Sequence, residues 1–245
     1  MTGDARVVAL ACPGADTGAD VRLSMGGEPV LLQIDYPSRA VPLSDMLPIL
    51  HGLASAVTEA ASRGREVSCR AGCGACCRQA VPVSPSEAVA LARLVEALPE
   101  PKRGEVKARF AEAVRRLEAA GLGPLLRASG RPGGPTGRAL GVAYFAAGIA
   151  CPFLVEESCS IHADRPTACR EYLVTSPAAE CARPTEEAVH VVPIPVSVAG
   201  AARAMEGSAM PLVLALEYAA GAAEESRPGA EWLRAFLKAW ANADV

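Results

Sequence analysis

Residues 69–77 read CRAGCGACC and place Cys69, Cys73, Cys76 and Cys77 within one short stretch of a 245-residue chain that has 9 cysteines in all. A hydrophobic core has no use for thiols at that density. A disulfide scaffold, a reactive thiol or a metal site has. The spacing C-x3-C-x2-C-C lets a loop turn several sulfurs toward one point, as ligation at about 2.3 Å demands. Gly72 and Gly74 help, because they permit backbone turns that a Cβ resists. Cys151, Cys159, Cys169 and Cys181 form a second group downstream. Cys12 stands apart and reads as a small buried thiol in a strand.

The compartment helps to choose among these chemistries. The stretch MTGDARVVALAC has an apolar run too short for a secretory signal, and Asp4 and Arg6 flank it. The apolar stretch AMPLVLALEYAAGAA is interrupted by Glu217 and is too short to span a bilayer. The expectation is a cytoplasmic protein with no membrane partner. There thiols stay reduced, so dense cysteine points to metal or catalysis before disulfides. A net charge of -3 and a pI near 5.7 leave no basic footprint, so nucleic acid is not expected as a partner.

The chain is 51% hydrophobic with mean hydropathy +0.21, enough to bury a core without crosslinks. Aromatic residues are 4% and alanine is abundant, which favours closely packed helices. The expected fold is mainly α with a small β element (α+β), a single domain over residues 1–245 with cysteine-rich metal-binding loops. Residues 1–40 supply the β element: ARVVALA and PVLLQIDY read as a small hairpin or sheet edge. Leu47, Leu50, Ala54, Val57 and Ala61 recur at helical spacing from Ser44 until Gly64.

A helical insert is expected over residues 85–128. Ser84 is its N-cap, Pro85 its first residue and Glu87 the return partner of a capping box. Ala88, Leu91, Leu94, Val95 and Leu98 form one apolar stripe. A further helix follows Pro101 with Val106, Phe110, Val114 and Leu117 facing inward. SGRPGGPTG, residues 129–137, reads as a mobile loop. Residues 138–183 read as turns with one short helix, and EAVHVVPIPV as a strand broken by prolines. Helices close the chain over residues 201–245, with Trp232, Phe236 and Trp240 on one face as core.

Three blocks in order, CRAGCGACC, ACPFL at 150–154 and CSIHADRPTACREY at 159–172, resemble the YkgJ-type cysteine-cluster family over about residues 66–183. Its bacterial members are described as zinc- or iron-chelating and sometimes as iron–sulfur proteins. The family pattern usually has an aromatic, often Tyr, where this chain has His162. The resemblance implies metal binding without a settled reaction. Flagellin lysine methylases carry a related cluster region, which keeps an enzyme of protein modification in view. The spacing C-x3-C-x2-C is also that of the radical S-adenosylmethionine loop. That loop follows a strand in a β/α barrel, whereas here a helix precedes it and no alternating strand–helix series follows.

The metal ligands expected are therefore Cys69, Cys73, Cys76, Cys77, Cys151, Cys159, Cys169 and Cys181. They could make two four-sulfur sites, or one site with spare thiols. Neighbouring Cys76 and Cys77 tend to point apart, so they serve different centres, or one ligates and the other supports it. Pro152 stiffens the chain, and Phe153 and Leu154 can shield the site. Pro166 can open a short helix with Asp164 or Arg165 at its cap, setting Cys169 in a first turn that favours thiolate. Arg165 and Arg170 either offset thiolate charge or pair with Glu171 or Glu156 at the surface. His162 either contacts a sulfur or is a polar turn residue; His51 and His190 read as structural. All-cysteine ligation fits an iron–sulfur cluster or zinc, and the compact spacing and adjacent pair prefer iron–sulfur. Three functions follow: a redox or accessory protein, an enzyme using the cluster, or a structural zinc module that binds a protein partner.

Overall fold

The computed structural model describes residues 5–25, 27–70, 72–128, 138–182 and 187–242. The stretch 129–137, read as a loop, lies outside them. Strands β1 (Arg6–Ala11), β2 (Thr17–Met25) and β3 (Glu28–Tyr36) form a sheet in the order β1-β3-β2. In β3 the alternation of PVLLQIDY sets Val30, Leu32 and Ile34 inward while Gln33 and Asp35 face water. The two apolar pieces are not partners in a hairpin. β1 runs parallel to β3 at the sheet edge, and the hairpin is β2–β3. β2 is harder to see in the sequence because Asp20, Arg22 and Ser24 fill its outer face.

β4 (Ala40–Pro42) leads into α1 (Leu43–Ser62), which lies across the sheet. Leu47, Leu50, Leu53 and Val57 of the helix pack with Leu10, Leu32 and Ile34. Gly52 permits the close approach, since a Cβ there would sit 2.6 Å from Leu10 Cδ2. Cys12 is buried in this core, with its sulfur 3.8 Å from Met46 Sδ.

The middle of the chain holds β5 (Pro82–Val83), α2 (Pro85–Ala97), α3 (Lys102–Ala119), α4 (Gly123–Ala128), α5 (Arg138–Ala146), β6 (Leu154–Val155), β7 (Ser158–Cys159) and α6 (Thr167–Glu171). α7 (Val198–Glu206), β8 (Met210–Pro211), α8 (Ala215–Ala219), β9 (Ser226–Pro228) and α9 (Gly229–Ala241) follow. The fold is α+β, mainly helical, with the cysteines in the middle. The capping box of α2 is formed as its sequence requires. Ala88, Leu91 and Val95 meet Val106, Phe110 and Phe153 in a second core. Leu117, Leu122, Leu126 and Tyr144 build a third.

Two expectations need correction. Residues 138–182 contain two helices, α5 and α6, and the β6–β7 hairpin. EAVHVVPIPV forms no strand among the described residues; Val191 makes a single bridge to Val174. Pro193 and Pro195 lack the N–H donors that a longer ladder needs.

The end of the chain returns to the beginning. β9 pairs antiparallel with β4, and Trp232 Nε1 donates to Val41 O at 2.8 Å. Trp232 and Phe236 are buried in the first core, and Trp240 stacks on Phe236 with centroids 6.0 Å apart. Among the described residues no helix is long and apolar enough to cross a membrane.

His51 of α1 sits near α6, where its Nε2 is buried without a hydrogen-bond partner. Burial, and then the positive charge of Arg170, lower its pKa from 6.5 to about 4. The unfolded chain takes up this proton near 6.5, and the folded chain resists until about 4. The corresponding stability is complete above pH 6.5 and is lost as pH falls toward 4, by about 3 kcal/mol at most. Urea midpoints at pH 7 and pH 4.5 should therefore differ more for the wild type than for His51→Gln. Equal acid losses in both would remove His51 from the account.

Candidate metal centre

The first cysteine block is laid down by backbone hydrogen bonds. Ser68 N donates to Val174 O at 3.0 Å, and the Ser68 hydroxyl donates to Val174 O and Ser176 O. The neighbouring Val174 N then donates to Cys69 Sγ at 3.4 Å. Gly72 takes φ +81°, where a side chain is strained. Residues 75–78 wind into one 3₁₀ turn that carries Cys76 and Cys77.

Gly74 matters for a different reason. Its φ of -96° suits any residue, but a Cβ would lie 2.6 Å from Leu154 Cδ1 and 2.8 Å from Glu157 Oε2. The missing side chain is the space into which the β6–β7 hairpin fits. That hairpin turns at Glu156 and Glu157, both left-handed at φ 47° and 57°, as a two-residue primed turn requires. Arg78 locks it in place, donating to Glu157 Oε2 at 2.9 Å and to Gly74 O at 3.0 Å. Cys151 N donates to Cys77 O at 2.7 Å, and Cys159 pairs with Leu154 across the hairpin.

Glu87 positions the third block. Its carboxylate accepts from Ser84 N at 2.9 Å to close the α2 cap. It also accepts from Thr167 N at 2.8 Å and Thr167 Oγ1 at 2.7 Å, at the start of α6. Glu87 is only 2% exposed. Pro166, rather than Asp164 or Arg165, is the N-cap residue of α6. It supplies no side-chain acceptor, and Glu87 does so from another helix. At the far end Glu171 accepts from Ser197 Oγ, Val198 N and Ala199 N and caps α7.

All eight expected cysteines line one cavity of about 380 Å³, together with Phe153, Ile161 and Leu212. Arg165 and Tyr172 add polar edges, and His162 sits exposed at the rim. Burial pushes the thiols of Cys69, Cys159, Cys169 and Cys181 up, and that of Cys151 up to about 12. For Cys169 burial therefore outweighs any benefit of the helix end. Cys76 differs: the Cys77 S–H donates onto its sulfur and brings it down to about 7, while Cys77 itself is pushed up. Among the described residues no three His, Cys, Asp or Glu side chains meet closely enough to hold one ion. The thiols ring a space.

The two arginines part company. Arg170 donates to Arg165 O at 2.9 Å, to Ala163 O and to Ser55 Oγ, bracing the third block against α1. It does not line the cavity. Arg165 does. Its Nε is buried without a hydrogen-bond partner, and its charge reaches Cys69, Cys76 and Cys159. Neither arginine pairs with Glu171 or Glu156 among the described residues. A cation with an unmet donor in a wall of thiols suits a bound group that carries negative sulfur. The donor set thus fits a thiolate-held metal.

Residues 68–188 match the family model CxxCxxCC, described as a putative zinc- or iron-chelating domain. This segment belongs to that family. No curated protein and no solved structure matches the chain. The CxxCxxCC domain contains all eight cavity cysteines, Glu87 and Arg165. The β1–β3 sheet and α7–α9 lie outside it. The capping box is legible in the sequence, but the second use of Glu87 at Thr167 is not, nor is the steric role of Gly74.

Replacing Glu87 by Ala would leave three buried donors without their acceptor, and should lower stability by about 3 kcal/mol. Glu87→Gln keeps an acceptor oxygen and should cost less. Denaturant unfolding of the full chain measures both. A loss under about 1 kcal/mol for the Ala variant would show that α6 does not depend on this carboxylate.

Proposed function

We propose that the cavity of the CxxCxxCC domain holds an iron–sulfur centre on its cysteine thiolates and that the protein acts as a redox or accessory protein. One observation carries this: thiols surround a space of about 380 Å³ instead of converging on a point. That space is worth roughly a dozen waters at about 30 Å³ each. A single zinc ion needs four sulfurs drawn to about 2.3 Å of one centre, which leaves most of such a room without purpose. A cluster of several iron and sulfide atoms uses it.

The remaining residues fit that use. When bound, an iron–sulfur cluster supplies one-electron redox chemistry, its potential set by charge, hydrogen bonds to sulfur and exposure. Val174 N already donates to Cys69 Sγ, and backbone donors at Phe153 and Ile161 favour the thiolates of Cys151 and Cys159. Phe153, Ile161 and Leu212 exclude water from one side. Arg165 offsets thiolate charge. Arg170 acts indirectly, by fixing the loop from which Arg165 projects.

The full chain purified anaerobically should contain iron and acid-labile sulfide in similar amounts and show a visible absorption that bleaches on reduction. A colourless protein with stoichiometric zinc would overturn the iron–sulfur reading and favour a structural zinc module.

A further inference from the structure

Two carboxylates described above tie helices together: Glu87 of α2 to the start of α6, and Glu171 of α6 to the start of α7. A third completes the pattern. Glu206, the last residue of α7, accepts from Ser86 N and Ser86 Oγ in the first turn of α2, both at 2.8 Å. The links run from α2 to α6, from α6 to α7 and from α7 back to α2. Each ends on a backbone N–H in the first turn of the next helix, one of the donors that a helix leaves without an internal partner. A carboxylate there also meets the positive end of the helix dipole.

The place of this ring decides what it does. α6 has five residues, too few to hold a helix unaided. Its first residue, Thr167, is held by Glu87, and its last, Glu171, holds α7. Cys169 lies midway between them and lines the cavity. Glu87 and Glu171 are buried, so water cannot take over their bonds at little cost. A cation accompanies the acids. Arg203 stands one turn before Glu206 on α7; burial lowers its pKa, and the charges of Glu87 and Glu171 oppose that.

We propose that Glu206 is a positioning residue for the metal centre. By closing the ring it fixes α6, and with it Cys169, although neither Glu206 nor Ser86 lines the cavity. This rests on the metal-binding reading of the cavity, but not on which metal is bound. It also gives α7 a task. The helix lies outside residues 68–188 and completes, from there, the scaffold of the CxxCxxCC domain. Arg170 braces α6 against α1 as well, so an opened ring should loosen Cys169 rather than release it.

Two variants of the full chain open the same link from its two sides, Glu206→Gln and Ser86→Ala. Val30→Ala serves as the control, because it weakens the first core and takes no part in the ring. The first readout is hydrogen exchange at the Thr167 amide without metal. That amide is bonded to Glu87 and not to Glu206. It should exchange faster in both ring variants than in the wild type. The second is release of Co²⁺ to a chelator, followed by the thiolate-to-cobalt absorption. Release should be about fivefold faster in Glu206→Gln, the equivalent of one hydrogen bond. Val30→Ala should change neither.

Unaltered exchange at Thr167 in both ring variants overturns the proposal. So does a Val30→Ala protein that releases cobalt as fast as Glu206→Gln, since general loss of stability would then explain the effect. If Glu206→Gln does not fold, Ser86→Ala decides. A wild type that binds no thiolate-held cobalt would sink the metal reading of the cavity, and the ring would then stand or fall on Thr167 exchange alone.

Discussion

Sulfur atoms supplied from three separated blocks must border one small space, and the middle of this protein is arranged around that requirement. Thiols drawn together in a buried site cannot all ionise, because burial and mutual repulsion both favour the protonated form. The upward displacement of Cys69, Cys151, Cys159, Cys169 and Cys181 expresses this. A bound cation reverses the balance by replacing those protons, which couples metal binding to the order of the region. Cys76 is the exception. Hydrogen bonding within the Cys76–Cys77 pair lowers the one pKa and raises the other, and Arg165 favours the thiolate of Cys76.

The protein brings the blocks together by short, specific contacts. Gly74 makes room for the β6–β7 hairpin, Arg78 clasps the hairpin tip, and Cys151 N reaches Cys77 O. Glu87 joins the start of α2 to the start of α6, and Glu171 joins α6 to α7. The first core, built from the sheet, α1, α7 and α9, contains none of the eight cavity cysteines. It is a platform built apart from the cavity, and α6 is bolted to it by Arg170 and by Glu171.

Local chemistry made much of this legible in the sequence. The Ser84–Glu87 capping box, the stripe of α2 and the aromatic face of α9 follow from spacing alone, and the eight cavity cysteines follow from the dense run at 69–77 and the downstream group of Cys151, Cys159, Cys169 and Cys181. What was hidden depends on contacts distant in the chain. β2 carries too many polar residues to announce itself, and its partner β3 supplies the pattern that makes it a strand. EAVHVVPIPV looks like a strand, but Pro193 and Pro195 break its ladder. Arg165 and Arg170 look alike by position, yet one lines the cavity and the other holds the loop. Spacing within five residues cannot tell them apart, because the difference lies in Ser55 of α1.

The central claim is that thiolates from all three blocks bind metal in this cavity. X-ray absorption at the iron edge, on the full chain purified without oxygen, tests it most directly. The account predicts a first shell made of sulfur alone, with iron neighbours beyond it. A first shell rich in oxygen or nitrogen, or a protein that holds no metal after careful anaerobic preparation, would contradict it.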